Sequence, residues 1–251
     1  MSDLALTAQT LAGLGSARPV WTALIVTLAF TILARWVRGV SSSGAIAGAA
    51  VCFVLCVGAG FGAFAALVSV FALTWISTRL GYQRKRKLGT AEKLNGRTAL
   101  QVLANLAVAA ICAGLFAVTS RNPVFLLAAS AALSEAAADT VSSEVGQARG
   151  AKARLITSWE EVAPGTDGGV SWTGTVAGIV AAAVVSLVCV LTGLVQLKWL
   201  GFSIAAAIAG MTADSYLGAL LERRKLLNND AVNLLGTLVA AGTAFAACKV
   251  P

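Results

Sequence analysis

Runs of about 20 apolar residues, separated by short polar segments, leave this chain few ways to fold. Hydropathy places such runs at 20–36, 44–60, 61–80, 98–118, 124–145, 172–195, 199–221 and 231–248. A helix satisfies its backbone hydrogen bonds internally, as the interior of a bilayer demands. The expected architecture is all-α: a polytopic membrane protein of about eight transmembrane helices, forming one integral membrane domain over 1–251. Mean hydropathy is +0.82. Charged residues make up only 12% of the chain, about half of soluble usage. Residues 1–18 lack a basic start and a long apolar core, so they read as an amphipathic or frayed lead-in rather than a cleaved signal peptide.

If the spans alternate, the connections 35–43, 79–97, 146–171 and 222–230 lie on one side. They carry two, seven, three and three Lys or Arg, 15 of the chain's 19. The positive-inside rule puts these loops in the cytoplasm and both termini outside, in a bacterial-type inner membrane. The net charge of +8 is then a topology signal. No nucleic-acid partner follows from it, because the basic residues are spread over short loops beside the bilayer. Arg79, Arg84, Lys85, Arg86 and Lys87 read as an anchor for anionic lipid head groups. Lys93 and Arg97 stand nearer the next helix, where they are placed to hold an entering phosphate.

The absence of histidine excludes histidine metal sites and histidine acid–base catalysis. Cys52, Cys56, Cys112, Cys189 and Cys248 sit inside apolar runs at no metal-ligand spacing, and read as small core hydrophobes. Gly44 with Gly48, Gly58 with Gly62, and Gly174 with Gly178 fit close helix packing.

Against this apolar background the acids stand out. A charged side chain in the hydrocarbon region costs ~2.5–3.5 kcal/mol on insertion scales, so it persists where it lines a wet cavity, binds an ion or carries chemistry. Glu135, Asp139 and Ser142 or Ser143 share one helix face by their spacing of three and four, while Glu144 points elsewhere. Asp214, Gly218 and Glu222 form a second stripe. The surrounding segments read as a parallel internal repeat (130–186 and 205–248). Ala138-Asp139-Thr140, Glu144, Asp167 and Val170 to Gly174-Thr175 correspond to Ala213-Asp214-Ser215, Glu222, Asp230 and Val232 to Gly236-Thr237. On that reading Asp139 and Asp214 lie at similar depth, and Asp167 and Asp230 stand at the start of the returning helices, where either could equally be a helix N-cap.

Two loops are built to meet an anion. Pro164-Gly165-Thr166-Asp167-Gly168-Gly169 can bend its backbone to present amides and leads into a helix N-terminus. Leu227-Asn228-Asn229-Asp230 does the same before the last span. Asn105 adds a buried amide. The set offers hard oxygen ligands without nitrogen or sulfur, which suits Mg²⁺ held by one or two carboxylates plus substrate phosphates. Phosphoryl transfer asks mainly for positioning and charge neutralisation, and no Walker-type loop is present.

Gly96-Arg97-Thr98 through Asn105, Ala138-Asp139-Thr140 with Ser143-Glu144-Val145-Gly146, Pro164 through Val170, and Asp214-Ser215 through Leu227-Asn228-Asn229-Asp230 with Asn233 resemble the transmembrane-protein-19-like membrane family. That family includes a phytyl-phosphate kinase, and the resemblance covers roughly residues 40–248. It implies transfer of a phosphoryl group from a nucleoside triphosphate, CTP foremost, to a phytyl or prenyl monophosphate in the lipid bilayer. The Asp and Asn positions of these motifs are those the resemblance carries over; with the reading of the residues above, the expected catalytic residues are Asp139, Asp214 and Glu135, and the expected metal ligands are Asp139, Asp167, Asp214 and Asp230. Substrate or nucleotide contacts fall to Lys93, Arg97, Asn105, Ser143, Glu144, Gly165, Thr166, Gly168, Gly169, Ser215, Glu222, Asn228, Asn229 and Asn233. The rival reading of the same acids is a transporter or ion carrier; anion-cradling turns at the membrane surface favour the kinase.

Overall fold

A computed structural model describes residues 20–92, 95–149 and 152–247. The helices are α1 (Val20–Trp36), α2 (Ser42–Ala59), α3 (Phe61–Arg79), the short α4 (Tyr82–Leu88), α5 (Ala99–Val118), α6 (Val124–Arg149), α7 (Trp172–Leu191), α8 (Leu200–Leu217) and α9 (Asn229–Ala247). Among the described residues seven are long and apolar enough to cross a membrane; α1 is apolar but shorter. The protein is a polytopic helical membrane protein. Its outer surface carries Ile25, Ile32, Ile46, Ile111, Val180 and Leu191 exposed, a load of apolar surface that water would not tolerate and lipid does.

Capping explains where several helices begin. Ser41 accepts from Gly44 N–H to start α2, Thr98 and Gln101 form a capping box on α5, and Ser171 accepts from Gly174 N–H to start α7. Each satisfies amides that the first turn would leave unpaired.

Helix α6 is the axis of the bundle. Of its apolar window 78% is buried, against 28–44% for the other long helices, and it packs against α3, α4, α5, α7, α8 and α9. Its run Leu127–Ala138 is fully enclosed. Alanine and serine there let the surrounding helices approach one backbone. Buried hydroxyls are spliced together: Ser130 to Ser203 at 2.9 Å, Ser203 to Ser186 at 2.9 Å, and Ser186 to Ser134 at 2.8 Å. The chain ties α6, α7 and α8 and leaves none of the four unpaired.

Not all glycines pack helices as their spacing suggests. A Cβ at Gly44, Gly58, Gly174 or Gly178 would strike a neighbouring backbone carbonyl, whereas one at Gly48 would meet nothing within 4 Å.

Between α6 and α7 the chain forms a small sheet that hydropathy does not foretell. Strand β1 (Ala153–Leu155) is central, with β2 (Glu161–Val162) and β3 (Gly169–Val170) antiparallel on either side. Ala153 pairs with Val162 and Arg154 with Val170. The loop 163–168 therefore runs from one edge of the sheet to the other, pinned at both ends. At the other acidic helix, α8 passes into a π turn over Gly218–Glu222.

Candidate active site

The four basic connections gather at one end of the bundle. Ser41 N–H donates to Arg97 O at 2.9 Å and Arg97 N–H to Gly39 O at 3.1 Å, joining the α1–α2 and α4–α5 connections. Gly168 packs on Ala219, and Gly165 on Thr90, bringing the sheet loop to the π turn and to the segment after α4.

Within this end lies a polar cleft in two connected parts. One, about 130 Å³, is lined by Asp139, Ser142, Ser143, Gln147, Gly165 through Gly169, Asp214, Ser215, Gly218, Glu222 and Asn229. The other, about 640 Å³, is lined by Glu92, Arg97, Asn105, Asp139, Ser143, Glu144, Asp167, Asn228, Asn229, Asp230 and Asn233. Asp139, Ser143, Gln147, Gly165, Asp167 and Asn229 border both parts. Residues remote in sequence thus meet in one space.

Asp139 on α6 and Asp214 on α8 are the floor. Their carboxyls come within hydrogen-bonding reach of each other, and both are half-buried. Glu135 lies one turn deeper, 1% exposed, and lines neither part of the cleft. Its Oε1 and Asp214 Oδ2 are buried without hydrogen-bond partners, and a Cβ at Gly236 of α9 would touch that Glu135 oxygen. Arg97 stands across from Asp139; its Nη2 donates to Thr140 Oγ1 at 3.3 Å and its Nε lies 3.7 Å from Glu92. Asn105 spends its amide on Gln101 O at 2.9 Å.

Several expected contacts carry structural duties. Glu144 is buried against Lys85 of α4 in an ion pair. Lys85 is 0% exposed and also donates to Ser77 O and Thr78 O. It is therefore no lipid anchor. Arg79, from the same basic group, stacks on Trp75 at 3.9 Å and donates to Val37 O at 2.7 Å. Asn228 is the cap of α9, accepting from Ala231 N–H at 2.9 Å, so Asp230 falls in the first turn rather than at the cap. Asp167 stands five residues before α7, whose cap is Ser171; the two loop aspartates are not placed alike. Thr166 turns its hydroxyl onto Ala163 O, and Ser215 onto Met211 O. Gly218 leaves room for the Gly168 amide, which a Cβ there would meet at 2.9 Å. Lys93 lies outside the described residues.

Sequence reasoning passed over Glu92 and Gln147; Thr140 and Ser142 it placed beside Asp139 without giving them a contact. Gln147 was detectable: it follows Ser143 by four on the same helix, and its Nε2 donates to Ser143 Oγ at 2.9 Å.

Among the described residues no three acidic or sulfur side chains gather closely enough to enclose a metal. The Asp139–Asp214 pair nevertheless fits Mg²⁺ as that ion is usually held, by one or two carboxylates with phosphate oxygens and water completing the shell. Two adjoining carboxyls with an unpartnered buried oxygen form a donor set that a cation would complete.

The profile of an integral membrane protein family, DUF92, matches residues 25–241, and the chain belongs to that family. An uncharacterized membrane protein of Methanocaldococcus jannaschii is 33% identical over 219 residues, 86% of this chain and 89% of its own length. An uncharacterized membrane protein of Synechocystis is 32% identical, covering 74% and 73%. Protein VTE6 of the Arabidopsis thaliana chloroplast is 29% identical over 243 residues, 90% of this chain and 72% of its own length. No solved structure matches.

Proposed function

We propose that the protein is a membrane-embedded isoprenoid-phosphate kinase, passing the terminal phosphoryl group of a nucleoside triphosphate, CTP foremost, to a prenyl monophosphate. The observation that carries this reading is the cleft itself. Two loops, one rich in glycine and one in asparagine, meet Asp139 and Arg97 around a space of about 640 Å³, within the roughly 300–1,000 Å³ usual for small-ligand sites, and Asp139 also borders the adjoining part of about 130 Å³ where Asp214 stands. Kinship with the Arabidopsis chloroplast protein, together with the phytyl-phosphate kinase activity implied by the motif resemblance, supplies the substrate class.

The residues divide the work. The amides of Gly165 and Asp167, which the loop leaves free of internal hydrogen bonds while Thr166 and Gly169 bond within it, face the nucleotide phosphates. Arg97 holds the acceptor phosphate, with Glu92 and Thr140 fixing its guanidinium. A bound Mg²⁺ would neutralise the charge that develops on the transferring group. Asp139 and Asp214 would hold it, and Glu135, buried one turn below them, adds a third carboxyl beneath the pair. The acceptor is already an ionised phosphate, so no strong base is needed, which suits a site without histidine.

Asp139→Asn and Asp214→Asn keep side-chain size and lose charge. Each should reduce transfer by about 10³-fold or more, the scale of losing a charge stabiliser at a transferring group, with the protein still folded. The assay is purified protein with CTP or ATP against phytyl and geranylgeranyl monophosphate. Wild-type turnover in both variants refutes the carboxylate role.

The ion-carrier reading draws on one observation, the deep and unpartnered Glu135. It forecasts cation uptake into proteoliposomes that is independent of nucleotide, and the kinase reading forecasts none.

A further inference from the structure

A second cavity, about 170 Å³, lies between α1, α2, α3 and α5, walled by Phe30, Ala34, Gly48, Leu67, Phe71 and Leu106. Phe30 packs edge-on against Phe64 and Phe71, with ring centroids 5.6 and 5.4 Å apart, which closes its deep end. The mouth carries Arg38, Arg79 and Arg97 and shares Glu92, Gly96, Arg97 and Asn105 with the polar cleft. An apolar slot that opens through arginines into a polar chamber matches an amphiphile with an anionic head.

We propose that this slot seats the proximal hydrocarbon of a single-chain prenyl phosphate, with its phosphate at Arg97, and that Gly48 provides the room. The identity of the head group rests on the kinase reading; the slot itself rests on its own walls. An apolar cavity of about 150 Å³ takes a guest the size of benzene, so this one accepts a short length of one chain and excludes the paired chains of a diacyl lipid. Gly48 differs from its neighbour Gly44. A Cβ at Gly44 would strike Arg97 O at 2.0 Å, so Gly44 is a packing residue at the mouth. Gly48, one helical turn or about 6 Å deeper, faces open space on the slot side. Its missing side chain is volume left for a ligand rather than for a helix.

The test replaces Gly48 by leucine, whose Cβ would meet nothing within 4 Å, with Gly114→Leu as control, since a Cβ there is equally unopposed. Direct binding of radiolabelled geranylgeranyl monophosphate and methyl monophosphate is measured on the full chain in detergent, with CTP binding in parallel. Gly48→Leu should weaken the long-chain ligand about tenfold, the worth of roughly two displaced methylenes. Methyl monophosphate, CTP and the Gly114→Leu control should change less than about twofold, since none places hydrocarbon against Gly48. Unchanged long-chain binding in Gly48→Leu, or equal losses for both phosphates, overturns the slot. No long-chain binding by the wild type overturns it as well. Selective weakening in a protein that transfers no phosphoryl group would sustain the slot and reject the kinase reading.

Discussion

A lysine at a membrane boundary ordinarily snorkels toward water; Lys85 does the opposite. It is fully buried, pairs with Glu144 and donates to two carbonyls at the end of α3. Removing one partner of such a pair leaves a buried charge uncompensated, at a cost of about 3–5 kcal/mol. Lys85→Met should therefore lower the melting temperature in detergent sharply, and Lys85→Met with Glu144→Gln should recover most of the loss. If the double variant also keeps turnover, Glu144 serves the fold and not the substrate. Four basic residues in succession, Arg84 to Lys87, do not show which one turns inward. The legible clue lay on the other partner: an acid enclosed in a helical run needs a cation, and the basic segment before α5 was the nearest supply. Asp139 and Asp214 were readable for the same reason, because the cost of an acid in an apolar helix marks it. Asn228, Thr166 and Ser215 were not. A cap or a local hydroxyl bond looks in sequence like any polar residue beside a site.

Elements divide along similar lines. Long helices announce themselves through sustained hydropathy, and the eight apolar runs correspond to α1, α2, α3 and α5 to α9 within a few residues. The sheet of β1 to β3 does not, since strands of two or three residues are too short to display alternation. Nor does the π turn at Gly218–Glu222, a single-turn insertion of the kind that clusters at functional sites. Yet sheet and π turn together set the cleft, because the loop 163–168 reaches the end of α8 only where Gly168 lies against Ala219. Gly168 has φ +72°, and a Cβ there would come within 2.4 Å of Ala219 N. Gly168→Ala adds backbone strain of about 1–3 kcal/mol to that collision. The loop should lift from the π turn and nucleotide binding should fall, with prenyl-phosphate binding nearly unchanged because Arg97 lies in the α4–α5 connection and the apolar slot between α1, α2, α3 and α5. Equal losses for both ligands would mean the loop supports the whole end of the bundle.

At the scale of the whole molecule, the end of the bundle that holds the cleft also holds the basic connections, and the function proposed requires that end to face the cytosol, where nucleotide is made. Charge bias argues for it: 15 of 19 Lys and Arg belong to those connections, and the burial of Lys85 removes one of them from the surface without altering the balance. Exposed tryptophans sit at both ends, Trp36 and Trp172 near the cleft and Trp21 at the other, as interfacial anchors do; they fix depth but not direction. Accessibility decides direction. With the five cysteines replaced by alanine, Arg224→Cys reports the cleft end and Gln196→Cys the opposite one, both positions being exposed. A membrane-impermeant maleimide applied to intact cells should label Gln196→Cys and spare Arg224→Cys until the membrane is permeabilised. The reverse pattern would turn the cleft outward, away from any nucleotide pool, and the two carboxyls would then have to act on a solute or an ion instead.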